Sequence, residues 1–292
     1  MKPYKKLLLF VVIALAAAAI LSPWVFQLWN AYAASRRHRA EFAQIFSGLF
    51  IFTGVALLLV SPSLLRPRLL RDAGLAGSDR RNFFYGFILA AASMALLGVV
   101  MYFAGALAPG LSDSLYAIVR ASVKALITAI LVGFLEEIFF RGLLFRGLLE
   151  EYGVAAAFIG ANLLYAASHF FKPPENFVPA GMDPFAGFRF LGLCLAPYLD
   201  TAATIPGLIG LFIIGLVLSY ALLRSGSLFL SIGLHAGWVF AIKTMSLYGD
   251  FTREGLGWAF GAKPKLVSGV VTWVGILLVG VVVHWMTRRR SS

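Results

Sequence analysis

Apolar residues in this chain do not alternate with polar ones. They come in long, nearly unbroken runs near residues 6–28, 42–62, 83–108, 116–140, 154–170, 207–223, 227–247 and 267–287. A helix needs about 20 mainly apolar residues to cross a bilayer. The pattern therefore predicts an all-α polytopic bundle of about eight spanning helices. Ala31-Tyr32-Ala33 has the spacing of a signal-cleavage site. The run before it is longer than the apolar core of a signal, about 7–15 residues, so it reads as a first spanning helix. Three stretches are not expected to span. Residues 63–82 form a basic loop, and residues 171–186 hold four prolines and form an irregular one. Residues 187–204 are apolar but broken by Pro197 and Asp200, which suggests a re-entrant or interfacial helix.

Composition narrows the class. Of the 292 residues 60% are hydrophobic and 13% charged, and mean hydropathy is +0.87. A soluble domain carries about 25% charged residues, so this chain cannot cover a water-facing surface with charge. The net charge of +12 does not point to nucleic acid, because the Lys and Arg sit in short clusters between apolar runs, as membrane proteins place them. With the N-terminus inside, 14 of the 25 basic residues fall on the inner side, among them Arg66, Arg68, Arg71, Arg80, Arg81 and Arg288-Arg289-Arg290. This predicts an integral membrane protein with both termini cytoplasmic; the membrane expected is a bacterial plasma membrane. The single cysteine, Cys194, excludes an internal disulfide and any multi-cysteine metal site.

Ionisable groups inside spanning helices are costly, about 2.5–3.5 kcal/mol each at a helix centre, and so are functional candidates by default. The sharpest cluster is Glu136-Glu137-x-x-x-Arg141. At about 100° per residue, Glu137 and Arg141 lie about 40° apart on one face, while Glu136 points about 140° from Arg141. One glutamate is thus expected to pair with the arginine, leaving the other to face a partner helix. His38, in a basic loop, and His284, beside Trp285 and the basic tail, read as solvated and interfacial. His169 and His235 end or lie within apolar runs. The midpoint between Glu136 and His169 falls at the turn Tyr152-Gly153. In a helical hairpin each residue then lies about 25 Å from the turn, at a shared level. Residues 142–151 carry Arg146, Glu150 and Glu151 and should project from the membrane. His235 follows the turn Ser225-Gly226 by about 15 Å. Asn162, Tyr165 and His169 share a helix face. Glu136, His169 and His235 suit either a glutamate base activating water with histidine support, or a zinc ion with an open position for water.

Glu136-Glu137-x-x-x-Arg141, the aromatic-x-x-x-His pattern Tyr165–His169 and Ser231-Ile232-x-x-His235 together resemble the CPBP intramembrane proteases, relatives of the CAAX prenyl endopeptidase Rce1. The resemblance covers roughly residues 116–247 and extends to Gly142 and the turn Gly226-Ser227-Leu228. It implies an all-helical core with a cavity open to the cytosol, and hydrolysis of a peptide bond in a membrane-associated protein or peptide without a cofactor. It further implies Glu136 as general base, His169 helping to activate the water, His235 stabilising the oxyanion, and Glu137 and Arg141 positioning Glu136. The chain departs from the family in two places. Tyr165 stands where Phe is usual, and Val239 replaces the Asn or Asp four residues after His235. Asn162 and Tyr165 are the candidates to replace the lost oxyanion donor.

The expected organisation is N-terminal spans in 1–115, a catalytic core in 116–247, and an outer loop with a last span and basic tail in 248–292. The competing functions are a non-catalytic immunity or scaffold protein of the same fold, a zinc-dependent membrane protease and a proton-coupled transporter.

Overall fold

The computed structural model describes residues 2–32, 40–61, 80–110, 114–252, 254–261 and 266–288. His38, Arg66, Arg68, Arg71 and the end of the basic tail lie outside the described residues. Helix dominates because a backbone in lipid must satisfy its own N–H and C=O groups. In chain order the helices are α1 (Pro3–Tyr32), α2 (Phe42–Leu59), α3 (Arg81–Phe103), α4 (Leu115–Glu137), α5 (Arg146–Ala156), α6 (Asn162–Ser168), α7 (Ala186–Leu193), α8 (Thr201–Ser225), α9 (Leu228–Tyr248), α10 (Gly257–Phe260) and α11 (Val270–Arg288). Two π-helical stretches, Ile138–Phe145 and Ala157–Ala161, lie on either side of α5.

Seven helical stretches among the described residues are long and apolar enough to cross a membrane. The fourth, Leu115–Ser168, contains two of the predicted runs. It breaks at Gly153, whose φ of 83° and ψ of −177° suit a residue without Cβ. The chain reverses there. Phe145 packs edge-on against Phe158 with centroids 5.1 Å apart, and Phe140 against Tyr165 at 5.2 Å. The hairpin and its turn are thus where the spacing of Glu136 and His169 puts them. Many of the largest apolar side chains face outward, Phe52, Leu59 and Phe103 among them. Such a surface belongs in hydrocarbon rather than water.

The described chain falls into two units, residues 2–61 with 168–204, and residues 80–167 with 205–288. In the first, α1 packs on α2 and α7. Its core comprises Ala18, Ala19, Phe42, Phe46, Ala186, Phe190 and Cys194. Gly187 lets α7 lie against the Ala19 backbone. Residues 171–185 are irregular, as their prolines predict.

In the second unit α9 packs between α3 and α4. Gly233 and Gly237, four apart on α9, face the carbonyls of Phe83 and Phe87 on α3, so the two backbones approach more closely than any Cβ would allow. Gly133 of α4 faces Ala236, and Ser122 meets Tyr248 at 3.3 Å, so α4 runs antiparallel to α9. Helices α8 and α11 run in parallel, with Gly280 against Val217 and Tyr220 hydrogen-bonded to His284. A turn at Gly226, φ 63°, leads from α8 into α9. Arg80, Gly226 and Arg288 therefore lie at one end of this unit. The opposite end carries a small antiparallel ribbon, β1 (Leu107–Pro109) on β2 (Gly249–Phe251).

The boundaries correct the sequence reading in three places. The run 83–108 is helical only to Phe103 and then turns at Ala104-Gly105 into β1, because its last residues pair with β2. The segment 187–204 is not one re-entrant helix. It is the eight-residue α7 followed by a 3-10 turn, Ala196–Leu199. The span expected from 207 begins at Thr201, where the Asp200 carboxylate accepts from the Ala203 N–H at 3.1 Å and caps α8. Pro206 is tolerated because it falls near the helix start. Helices α1 and α2 group with residues 168–204, whereas α3 groups with the segment that carries the site.

Candidate active site

The end of α4, the following π-helical stretch, α6 and α9 bring together Glu136, Glu137, Arg141, Tyr165 and His235. Glu137 and Arg141 are fully buried, and His235 is nearly so. Arg141 Nη1 donates to Glu137 Oε1 at 2.9 Å, the pair that the four-residue spacing predicts. The same oxygen lies 2.8 Å from His235 Nδ1. A carboxylate only accepts, so Nδ1–H is the donor. The opposite ring nitrogen, Nε2, faces Glu136 Oε2 at 3.8 Å. That is too long for a direct hydrogen bond. The Glu136 side chain is 30% exposed while that of Glu137 is 0%. The two adjacent carboxylates thus occupy different environments.

Arg141 is the fourth residue of the eight-residue π-helical stretch. A π segment inserted into an α-helix is uncommon and is frequent at functional sites. The Arg141 guanidinium lies 4.1 Å from the centroid of the Tyr165 ring. Tyr165 also stands edge-on to His235, with centroids 6.0 Å apart. The arginine is thus held by a carboxylate on one side and an aromatic face on another, which compensates for its burial.

Asn162 is fully buried. Its Oδ1 accepts from Ser219 at 3.0 Å and its Nδ2 donates to the Phe158 carbonyl at 2.8 Å. Val239 is half-buried on α9, one turn beyond His235. His169 is half-buried in a turn directly after α6 and falls in the other unit. His284 takes the Tyr220 hydroxyl as a partner and stacks on that ring, a contact not anticipated from its place beside the basic tail. Among the described residues no three of His, Cys, Asp and Glu group as metal ligands. Glu136 Oε2 and His235 Nε2 supply two donor atoms, one fewer than a catalytic zinc ordinarily takes from protein.

Sequence reasoning missed Phe140, Ser219 and the Gly233/Gly237 contact. Gly233-x-x-x-Gly237 is a small-residue spacing that marks close helix crossings in membranes, and would have pointed to the α3–α9 contact. Ser219 carries no such signal.

No curated protein and no solved structure matches the chain. Residues 118–241 match a family model, Type II CAAX prenyl endopeptidase Rce1-like. The match takes in all three motifs, Val239 included. Over this segment the chain is similar to the Rce1-like family of CAAX-type intramembrane proteases, within the CPBP group.

Proposed function

We propose that this protein is an endopeptidase that hydrolyses a peptide bond of a membrane-associated protein or peptide, using water activated by Glu136. The observation that carries the reading is the placement of His235. One ring nitrogen is fixed on Glu137 at 2.8 Å and the other is turned to Glu136 at 3.8 Å. A base and a positioned imidazole then face one point, from two helices whose crossing is fixed by close packing.

In this mechanism Glu136 accepts a proton from water as the oxygen attacks the scissile carbonyl carbon. A doubly protonated His235 keeps Nδ1–H on Glu137 and directs Nε2–H at the developing oxyanion. Glu136 then returns its proton to the departing nitrogen as the C–N bond breaks, leaving a carboxylic acid, which ionises in water, and an amine. Arg141 balances the charge of Glu137, so that a second anion beside Glu136 does not oppose the oxyanion. General-base chemistry of this kind contributes about 10²–10⁴ in rate. No cofactor is required. The positive-inside bias of Arg80 and Arg288, which lie at the end of the unit nearer His235, supports a site facing the cytoplasm, with both termini there.

The test uses purified full-length protein and two internally quenched peptides with a C-terminal CAAX sequence, one farnesylated and one not. Cleavage of either that persists in excess chelator and is lost in Glu136→Gln is the expected result. Loss of cleavage in chelator, restored by added zinc, would replace the glutamate mechanism with a metal-dependent one. A second reading, a non-catalytic membrane protein of this fold, draws on Val239, which cannot donate a hydrogen bond. It predicts no cleavage of either peptide by the parent.

A further inference from the structure

Two consecutive residues of α8 hold the helices that carry Tyr165 and His235. Ser219 Oγ donates to Asn162 Oδ1 at 3.0 Å, and Asn162 lies three residues before Tyr165 on α6. The carbonyl of the preceding residue, Leu218, accepts from Ser231 Oγ at 2.7 Å, and Ser231 lies four residues before His235 on α9. Residues three and four apart share a helix face, so each bond fixes the rotation of its helix at the level of the site. All four residues, Leu218, Ser219, Asn162 and Ser231, are fully buried. One turn before Ser219, Gly215 leaves room for Asn162, since a Cβ there would lie 2.8 Å from its Oδ1.

From this geometry we propose that Ser219 is a positioning residue for the reaction, acting through Asn162, and that Asn162 itself is not an oxyanion donor. Both ends of the Asn162 amide are engaged in holding α6, with Nδ2 on the Phe158 carbonyl in the preceding π-helical stretch. What the pair delivers is the Tyr165 ring to its place on Arg141 and against His235. An amide on this helix face is otherwise the natural replacement for the donor that Val239 lacks, and the two roles have opposite consequences.

The inference rests on the proposed protease reading, and its test separates the two. In full-length protein cleaving the farnesylated peptide, Ser219→Ala is expected to lower kcat by between about 10- and 100-fold, the scale of a small misplacement at a reacting centre. KM and the thermal midpoint should stay near the parent values, and Ser219→Thr, which keeps the hydroxyl, should recover most of kcat. Asn162→Ala should match Ser219→Ala, and the double variant should be no worse than either single one, as for residues acting through one contact. The proposal is overturned if Asn162→Ala loses about 10²–10³ in kcat while Ser219→Ala keeps parental turnover. It is also overturned if the two losses simply add. If the parent cleaves nothing, the protease reading fails by itself. Amide exchange then decides: faster exchange over 158–166 in Ser219→Ala, but not in Ser219→Thr, supports the bracket, and unchanged exchange removes it.

Discussion

His235 Nδ1 meets Glu137 Oε1 at 2.8 Å across two helices and 98 residues of sequence. It shares that oxygen with Arg141. The second glutamate of the motif is therefore the structural centre of the site, and the first, at 3.8 Å from the far side of the same ring, is the more accessible. The sequence reading grouped the histidine with Glu136 and His169. The structure aims it at both glutamates, with the closer contact on Glu137.

Exchanging each glutamate for glutamine should separate these roles. Glu136→Gln is expected to abolish cleavage while the thermal midpoint stays near that of the parent. Glu137→Gln should lose cleavage and also stability, because Arg141 would be left buried without its counter-charge. Breaking a buried pair costs about 3–5 kcal/mol. Denaturation in detergent, followed in parallel with turnover, reads both. Full turnover in Glu136→Gln would sink the mechanism.

Arg141 should tolerate lysine poorly. Lysine keeps the charge but not the planar group that lies 4.1 Å from the Tyr165 ring centroid while donating to Glu137. Tyr165→Phe preserves the ring and is expected to retain most of the activity, whereas Tyr165→Leu removes the cation–π contact and should lower the thermal midpoint. Equal midpoints for the Phe and Leu variants would show that the ring face does not matter.

Val239 lies about 40° from His235 around α9. With Asn162 engaged by Ser219 and Phe158, the oxyanion donor that Val239 lacks is not expected from Asn162. Val239→Asn should therefore raise kcat at unchanged KM. The ceiling is the effect of one oxyanion donor, about 10²–10³. An active parent whose rate does not change on this substitution would remove the second-donor idea.

Topology is open to thiol labelling against a quiet background. Cys194 is 1% exposed, and burial pushes its thiol pKa up, which leaves less thiolate at neutral pH and slows alkylation. Native protein should therefore react slowly with a maleimide at pH 7 and faster as the pH rises. In intact cells, cysteine at Arg80 or Arg288 should resist an impermeant reagent, while cysteine at Asp250, beside the ribbon at the opposite end, should react. The reverse pattern would invert the proposed orientation.

The number and placement of the spanning helices were legible because a bilayer fixes both length and polarity: about 20 apolar residues and few charges. The Glu137–Arg141 pair was legible because helical periodicity alone brings residues four apart together. The hairpin turn could be placed at Gly153 because two helix arms of equal length meet at one level. The sequence by itself thus determined the membrane class, the helical arms and the residue types that bear the chemistry, all of which depend on neighbours within a few turns. Only the tertiary structure decided that His235 binds Glu137 more closely than Glu136, that Asn162 is engaged by Ser219, and that residues 104–109 leave the helix to pair with β2. Each of these contacts joins segments more than 50 residues apart. Their geometry depends on how closely two backbones approach, as at Gly233 and Gly237, and no local periodicity encodes that distance.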